Sequence, residues 1–442
     1  MPAITPENVH KILGDHILAD GFDLVLDLRK SRGCRMYDAK RQKWFLDFFS
    51  FFASSPVGFN HPEMANPDFI RKIGEVAVNK PSNSDIYTIE MADFVQTFAK
   101  IAKPDSMKYL FFISGGALAV ENAFKTAMDW KVRKNQAKGI QGEKGYKIIH
   151  FKQSFHGRAG YTLSVTNTYD QRKTKYFPKF DWPRIMNPKL TFPLNEAHIE
   201  KVIKLEHQAY QEIEAAISAD VDDICAIVIE PIQGEGGDNH FRPEFFQKLR
   251  TICDSHELLF IVDEIQTGIG ITGKMWAYQH YGFEPDIIVF GKKTQICGIM
   301  VSDRIDEVDN HVFKESSRIN STFGGNIVDM VRSQKFLEII EQEKLVEKAA
   351  QTGSYLIQQL YDLGSRHKNL ISNIRGRGLM CSFDLPDADL RGRLIQAIYE
   401  KNMLILPCGR ASLRFRPPLN IGKDDIDAGI EIIEKSLKAV CG

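Results

Sequence analysis

Between residues 107 and 291 the chain alternates short apolar runs with longer amphipathic ones. The runs at 108–113 (KYLFFI), 146–151 (YKIIHF), 226–229 (AIVI), 258–262 (LLFIV) and 287–290 (IIVF) predict strands. Residues 117–134 place Val120, Ala123, Phe124 and Ala127 on one helical face, and 244–255 do the same with Phe245, Phe246, Leu249 and Ile252. Pro243 suits the first turn of that second helix, where its missing N–H costs nothing. Nearly continuous β-branched and aromatic strands separated by helices predict an α/β fold with a mostly parallel sheet covered on both faces.

Ligands of such folds sit beyond the carboxyl ends of the strands. Each predicted strand ends in polar residues: Ser114-Gly115-Gly116, then Ser154-Phe155-His156-Gly157-Arg158, then Glu230-Pro231 with Glu235, then Asp263-Glu264-Ile265-Gln266, then Lys292-Lys293. Taken singly, each has an ordinary explanation. A glycine pair is a tight turn, an aspartate after a strand is a helix cap, and a lysine there is solvated. Taken together, one crevice receives a glycine turn opening a helix, an aromatic ring, carboxylates, an amide and an amine. A glycine turn at a helix start holds phosphate through backbone N–H groups and the helix dipole. A carboxylate behind an apolar run such as LLFIV is buried and needs a cationic partner.

Composition narrows the class. At 442 residues the chain is too long for one core and predicts two domains or three. Lys+Arg and Asp+Glu both number 57, so no net charge favours a nucleic acid or an anionic membrane. The seven cysteines are scattered and form no C-x-x-C pair, which predicts a reducing, cytoplasmic setting without a metal or disulfide framework. The stretch MPAITPENVHKILGDHILAD has no basic segment followed by an apolar one, so neither a signal peptide nor a membrane span is expected. RKNQAKGIQGEKG, 133–145, is expected to be a surface loop.

The order of these motifs resembles the ω-aminotransferases, the class-III group of fold type I pyridoxal-phosphate enzymes. It runs from the glycine turn through FHGR, EPIQGEGG, VDEIQTGIGITGKMWA and PDIIVFGKK to STFGGN (321–326) and SLRFRPPL (412–419). The resemblance implies a large domain over 71–330 with a seven-stranded sheet, an N-terminal segment over 1–70 and a C-terminal small α+β domain over 331–442. It implies pyridoxal 5′-phosphate as cofactor, with Lys292 as the Schiff-base lysine and proton carrier. Alternation along a strand cannot separate Lys292 from Lys293; the family pattern, in which that lysine follows the small residue closing the strand, selects Lys292. It further implies Asp263 at the pyridinium nitrogen, Gln266 at the ring hydroxyl, Phe155 on a ring face, and Gly116-Ala117 at the phosphate. Thr322 would come from the neighbouring subunit of a homodimer with shared active sites.

Within the family, SGGALAVENAFKTAMDWK, FHGRAGYTLSVTN, FPKFDWPRI and GKKTQICGIM resemble the members that use the terminal amine of L-lysine. The implied activity is ping-pong transfer of that ε-amino group to 2-oxoglutarate, giving L-2-aminoadipate 6-semialdehyde, which cyclises, and L-glutamate. Arg158 would grip the far carboxylate and Arg414 the near one, both suited to bidentate pairing. Lysine offers only one carboxylate, so Glu235 would pair with Arg414 and swing aside for the keto acid. The 4-aminobutyrate and ornithine aminotransferases are the alternatives, and a decarboxylase, an aminomutase or an inactive homologue of the same fold is the reading from another class. Ser114 departs from the acidic residue of the lysine-using members. The aromatic stretch 48–62 either lines the substrate end of the pocket or belongs to the core.

Overall fold

A computed structural model describes residues 3–441. The strands in chain order are β1 (Arg35–Asp38), β2 (Lys43–Asp47), β3 (Met107–Ile113), β4 (Lys147–Phe151), β5 (Arg184–Ile185), β6 (Ile224–Ile229), β7 (Leu259–Asp263), β8 (Ile287–Phe290), β9 (Cys297–Ser302), β10 (Ser372–Arg377), β11 (Met380–Asp384), β12 (Met403–Leu404), β13 (Leu406–Cys408) and β14 (Ser412–Phe415). The main sheet has seven strands in the order β3-β9-β8-β7-β6-β4-β5. β8-β7-β6-β4-β5 pair in parallel, and β9 lies antiparallel to both β8 and β3. The fold is therefore α/β with a mostly parallel sheet, and β3, β4, β6, β7 and β8 all end at one edge.

β6 and β8 are buried along their whole length, as expected of strands covered on both faces. One cover is the helix Gly116–Ala137, which packs across β6, β8 and β9 with Val120, Ala123, Phe124 and Ala127 buried. It runs further than the sequence pattern indicates, taking in the first residues of the expected 133–145 loop. On the other side the helix Pro243–Ser255 buries Phe245, Phe246, Leu249 and Ile252, with Pro243 in its first turn.

Two smaller sheets flank this body. β1-β2-β12 joins the beginning of the chain to its end, with β12 parallel to β2. β10-β11-β14-β13 is antiparallel and carries Arg414 on β14. The boundaries expected at 70 and 330 each fall inside a continuous helix, Pro67–Ala77 and Ile327–Gln342. The second of these packs on Ile89–Ile101, so no break in packing occurs at 330.

The aromatic stretch is part core and part surface, and none of it lines the cavity described below. Phe48 and Phe49 are buried, whereas Phe51 and Phe52 are exposed, and Ser50 to Ala53 hold four successive left-handed backbone angles. That conformation costs roughly 1 kcal/mol or more per residue. Neighbours hold it in place: Lys293 Nζ and Gln295 Nε2 donate to the carbonyls of Ala53 and Ser54, at 3.3 and 2.7 Å.

Candidate active site

The strand ends converge on a cavity of about 210 Å3 lined by Gly116, Ala117, Phe155, Glu235, Asp263, Gln266 and Lys292 together with His156, Glu230 and Cys297. Larger hollows of about 480 to 650 Å3 lie elsewhere, lined by charged side chains such as Arg133, Glu315, Lys72 and Glu338. None of these receives the strand ends.

The glycine turn works as backbone chemistry. Gly115 has φ +105° and precedes the helix Gly116–Ala137, so the chain turns sharply into the first helical residue. The N–H groups of the first turn have no partner within the helix, and Gly116 and Ala117 line the cavity. Gly157 closes the same corner, because a side chain there would meet Ala117 Cβ and Thr162 Oγ1 at 2.7 Å.

Asp263, the last residue of β7, is 4% exposed. Its Oδ2 is 2.8 Å from His156 Nδ1, and its Oδ1 accepts from the Ile265 N–H at 3.1 Å. Burial alone would lower the His156 pKa. The hydrogen bond to Asp263 and the charges of Asp263 and Glu230 outweigh it and hold the imidazole above its ordinary value. Glu230 is pushed up to about 7, first by burial and also by Asp263. Its two oxygens accept the N–H groups of Phe155 and Gly234, at 2.9 and 3.1 Å, tying the aromatic wall to the Glu235 loop.

The two lysines separate cleanly. Lys292 lines the cavity in a left-handed conformation, φ +53°, and its amine takes part in no ion pair among the described residues. Burial first, then the charges of Arg414 and Arg416, bring its pKa down to about 7 against the pull of Asp263 and Glu230. Lys293 is 2% exposed and donates to the Gln266 carbonyl at 2.8 Å. It ties the β8 end to the core.

At the small-sheet side, Arg416 is fully buried and makes a two-toothed pair with Asp238, also fully buried. Arg416 Nε donates to Gln266 Oε1 at 2.9 Å, and Arg414 Nη1 reaches the same oxygen at 3.4 Å. Arg414 is 5% exposed, and its Nε has no partner. The Phe52 ring lies 5.9 Å from its guanidinium.

The expected contact between Glu235 and Arg414 is not made. Glu235 Oε1 instead accepts from Lys173 Nζ at 2.6 Å and Thr168 Oγ1 at 2.7 Å, leaving Oε2 buried and unpartnered. The physical reason is a competing cation 62 positions earlier in the chain, delivered by the loop after FHGR. Arg158 is exposed and does not line the cavity. Thr322 is exposed as well and does not line the cavity, and its carbonyl accepts from Ser82 Oγ at 2.5 Å.

Sequence reasoning missed the supporting residues. His156 stood inside the FHGR motif without a role, and Asp238 stood inside EGGDNH. Arg416 follows Arg414 at strand spacing, which was the signal available for it. Uncapped helix N–H groups, a buried carboxylate, an aromatic wall and a free amine of lowered pKa fit a phosphorylated pyridine aldehyde. Among the described residues no group of His, Cys, Asp and Glu could hold a metal ion, and no helix is long and apolar enough to cross a membrane.

Comparisons with known proteins agree with this chemistry. An L-lysine-epsilon aminotransferase of Mycobacterium tuberculosis is 48% identical, covering 99% of this chain and 96% of that protein. One of Streptomyces clavuligerus is 47% identical, covering 98% and 95%. A solved lysine aminotransferase of M. tuberculosis superposes with a TM-score of 0.97 at 47% identity, covering 99% of this chain and all of that one. The family described as aminotransferase class-III matches residues 19–437, and this chain belongs to it.

Proposed function

We propose that the protein transfers the ε-amino group of L-lysine to 2-oxoglutarate, giving 2-aminoadipate 6-semialdehyde and L-glutamate in two half-reactions. The observation that carries the proposal is the pair Glu235 and Arg414. Arg414 is buried and Glu235 half-buried beside the cavity, each with one buried polar atom unpartnered, and Glu235 is held by a side chain it can leave. A site that must accept one carboxylate in the first half-reaction and two in the second needs such a removable counter-charge. The relatives named for lysine-epsilon transamination, near half identity over nearly the full chain, support the same substrate.

Pyridoxal 5′-phosphate supplies the aldehyde that takes up the amino group and the ring that spreads the reacting carbon's electrons. Gly116 and Ala117 would hold its phosphate, Asp263 its ring nitrogen, Phe155 a ring face and Gln266 its hydroxyl. Lys292 would hold and return the proton at Nζ, since an amine of pKa about 7 is available in both states near neutrality. His156 Nδ1 at 2.8 Å and the Ile265 N–H at 3.1 Å fix the two Asp263 oxygens in the cavity wall. Phe155 presents apolar surface in the cavity along which a lysine carbon chain can lie, with Arg158 for its one carboxylate and Arg414 left to Glu235.

The same reading takes the active unit to be a homodimer. Thr322 is exposed outside its own cavity, and Ile86, Tyr87, Ile89 and Phe323 form an exposed apolar strip beside the 82–84 segment that holds its loop. Seven unpaired cysteines, six of them buried, suit the cytoplasm. Incubation with L-lysine and 2-oxoglutarate is expected to yield glutamate and a cyclic imine that o-aminobenzaldehyde traps. Much faster turnover of 4-aminobutyrate than of lysine would replace the substrate.

A further inference from the structure

The Glu235 side chain has two possible partners, and the structure reveals the one that the family comparison does not suggest. Its backbone has little freedom. The Glu235 carbonyl accepts from Gly409 N at 2.8 Å. A side chain at Gly234 would meet Gln266 Oε1 at 2.5 Å, so the loop lies tight on the cavity floor. Only the carboxylate is left to move. In the observed position Lys173 and Thr168 share its Oε1, while Oε2 stays unpartnered.

These two residues are themselves well placed. Lys173 ends a short 3-10 turn, Gln171–Lys173, whose start is capped by the Asp170 carboxylate on Arg172 N at 3.2 Å. Gln171 Nε2 donates to the Thr168 carbonyl at 2.8 Å, and the Asp170 N–H donates to the Thr168 hydroxyl at 3.2 Å, joining both ends of the turn. The Lys173 amine also lies 5.9 Å from the Phe155 ring centre, so the holder sits directly over the cavity wall. With Glu235 on Lys173, the Arg414 Nε has no partner and the guanidinium is free for an incoming carboxylate.

We propose that Lys173 and Thr168 form the parking site of Glu235, positioning residues that hold the carboxylate off Arg414 and so tune the enzyme toward the dicarboxylate keto acid. The inference rests on the lysine and 2-oxoglutarate reading above and adds what sets the balance between the two states. Removing the parking cation leaves Glu235 to the buried Arg414, whose charge already feels it. Acceptor binding must then break that pair, while a donor with a single carboxylate benefits from it.

The experiment compares holoenzymes carrying Lys173→Met, Lys173→Arg and Thr168→Val, alone and in a Glu235→Gln background. The half-reactions are followed separately by absorbance. For Lys173→Met the concentration of 2-oxoglutarate giving half-maximal rate is expected to rise about tenfold, and that for L-lysine is expected not to rise. Lys173→Arg restores most of the acceptor affinity. With Glu235→Gln in place, the same change at 173 has little further effect, because no charge remains to be parked. Equal weakening of both substrates, or an undiminished effect in the Glu235→Gln background, would overturn the proposal. Glutarate binding, titrated on the same holoenzymes, reads the acceptor side without any lysine turnover. If lysine is not a substrate but glutarate binding still depends on Lys173 through Glu235, the substrate assignment fails and the parking site stands.

Discussion

His156 Nδ1 and Asp263 Oδ2 lie 2.8 Å apart, the imidazole without exposed side-chain surface and the carboxylate nearly so. The pair makes the negative charge at the end of β7 tolerable in a buried site, because a carboxylate desolvated alone would be neutralised.

His156→Phe is therefore expected to weaken pyridoxal-phosphate binding by about 10- to 100-fold, the loss of one hydrogen bond to a charged group. The affinity is read by absorbance titration. The pH dependence follows from the raised pKa of His156. Stabilisation of the charged pair is present at acid pH, including below the ordinary value of 6.5, and is lost as pH rises through the higher folded value. Wild-type affinity should decline on the alkaline side, and the variant should lack that decline. Equal affinity of the two proteins would show that the pair does not support the site.

Arg416 and Asp238 make a second buried pair, fixed on Gln266 at 2.9 Å. Asp238→Ala leaves a buried guanidinium uncompensated and is expected to cost about 3–5 kcal/mol, measured by chemical denaturation of the holoenzyme. The double change Asp238→Leu with Arg416→Met is expected to cost less, since neither charge is then stranded. A single change as mild as a surface substitution would contradict the burial of the pair.

The lowered pKa of Lys292 gives a labelling prediction. Burial and the Arg414 and Arg416 charges place its value at about 7, so the neutral, reactive amine grows in as pH rises through about 7 rather than through the ordinary 10.5. In cofactor-free protein, acetylation of residue 292, quantified by peptide mass spectrometry, should show that midpoint. Arg414→Met should move it upward by removing one of the depressing charges. A midpoint near 10 in the wild type would mean that the amine is solvated.

Much of the frame can be read from the sequence because it depends on local periodicity. β3, β6, β7 and β8 and the helices Gly116–Ala137 and Pro243–Ser255 lie within a few residues of where the apolar pattern puts them. β9 escapes that reading. It follows β8 after a short turn, and its run is interrupted by Gly298, where a side chain would strike the Phe111 carbonyl of β3. The long helix Glu196–Ala219 also went unrecognised, with charged residues spread along it. In the site, residues at strand ends were found because topology gathers them. Asp238 and Arg416 were not, because their pairing spans 178 positions and leaves no periodic trace. The Glu235 partner differs from the expected one for the same reason: Lys173 is brought in by a loop whose path the motif order does not encode. Lys293, indistinguishable from Lys292 by alternation, is separated from it in the structure by the carbonyls it meets, while Lys292 lines the cavity.

The most direct test of the site is to reconstitute the enzyme with pyridoxal 5′-phosphate, reduce it with borohydride and map the pyridoxyl group by mass spectrometry. The expected result is a single modified lysine at residue 292, with no visible absorbance band and no label in Lys292→Ala. A pyridoxyl group on residue 293, or undiminished labelling of Lys292→Ala, would contradict the account.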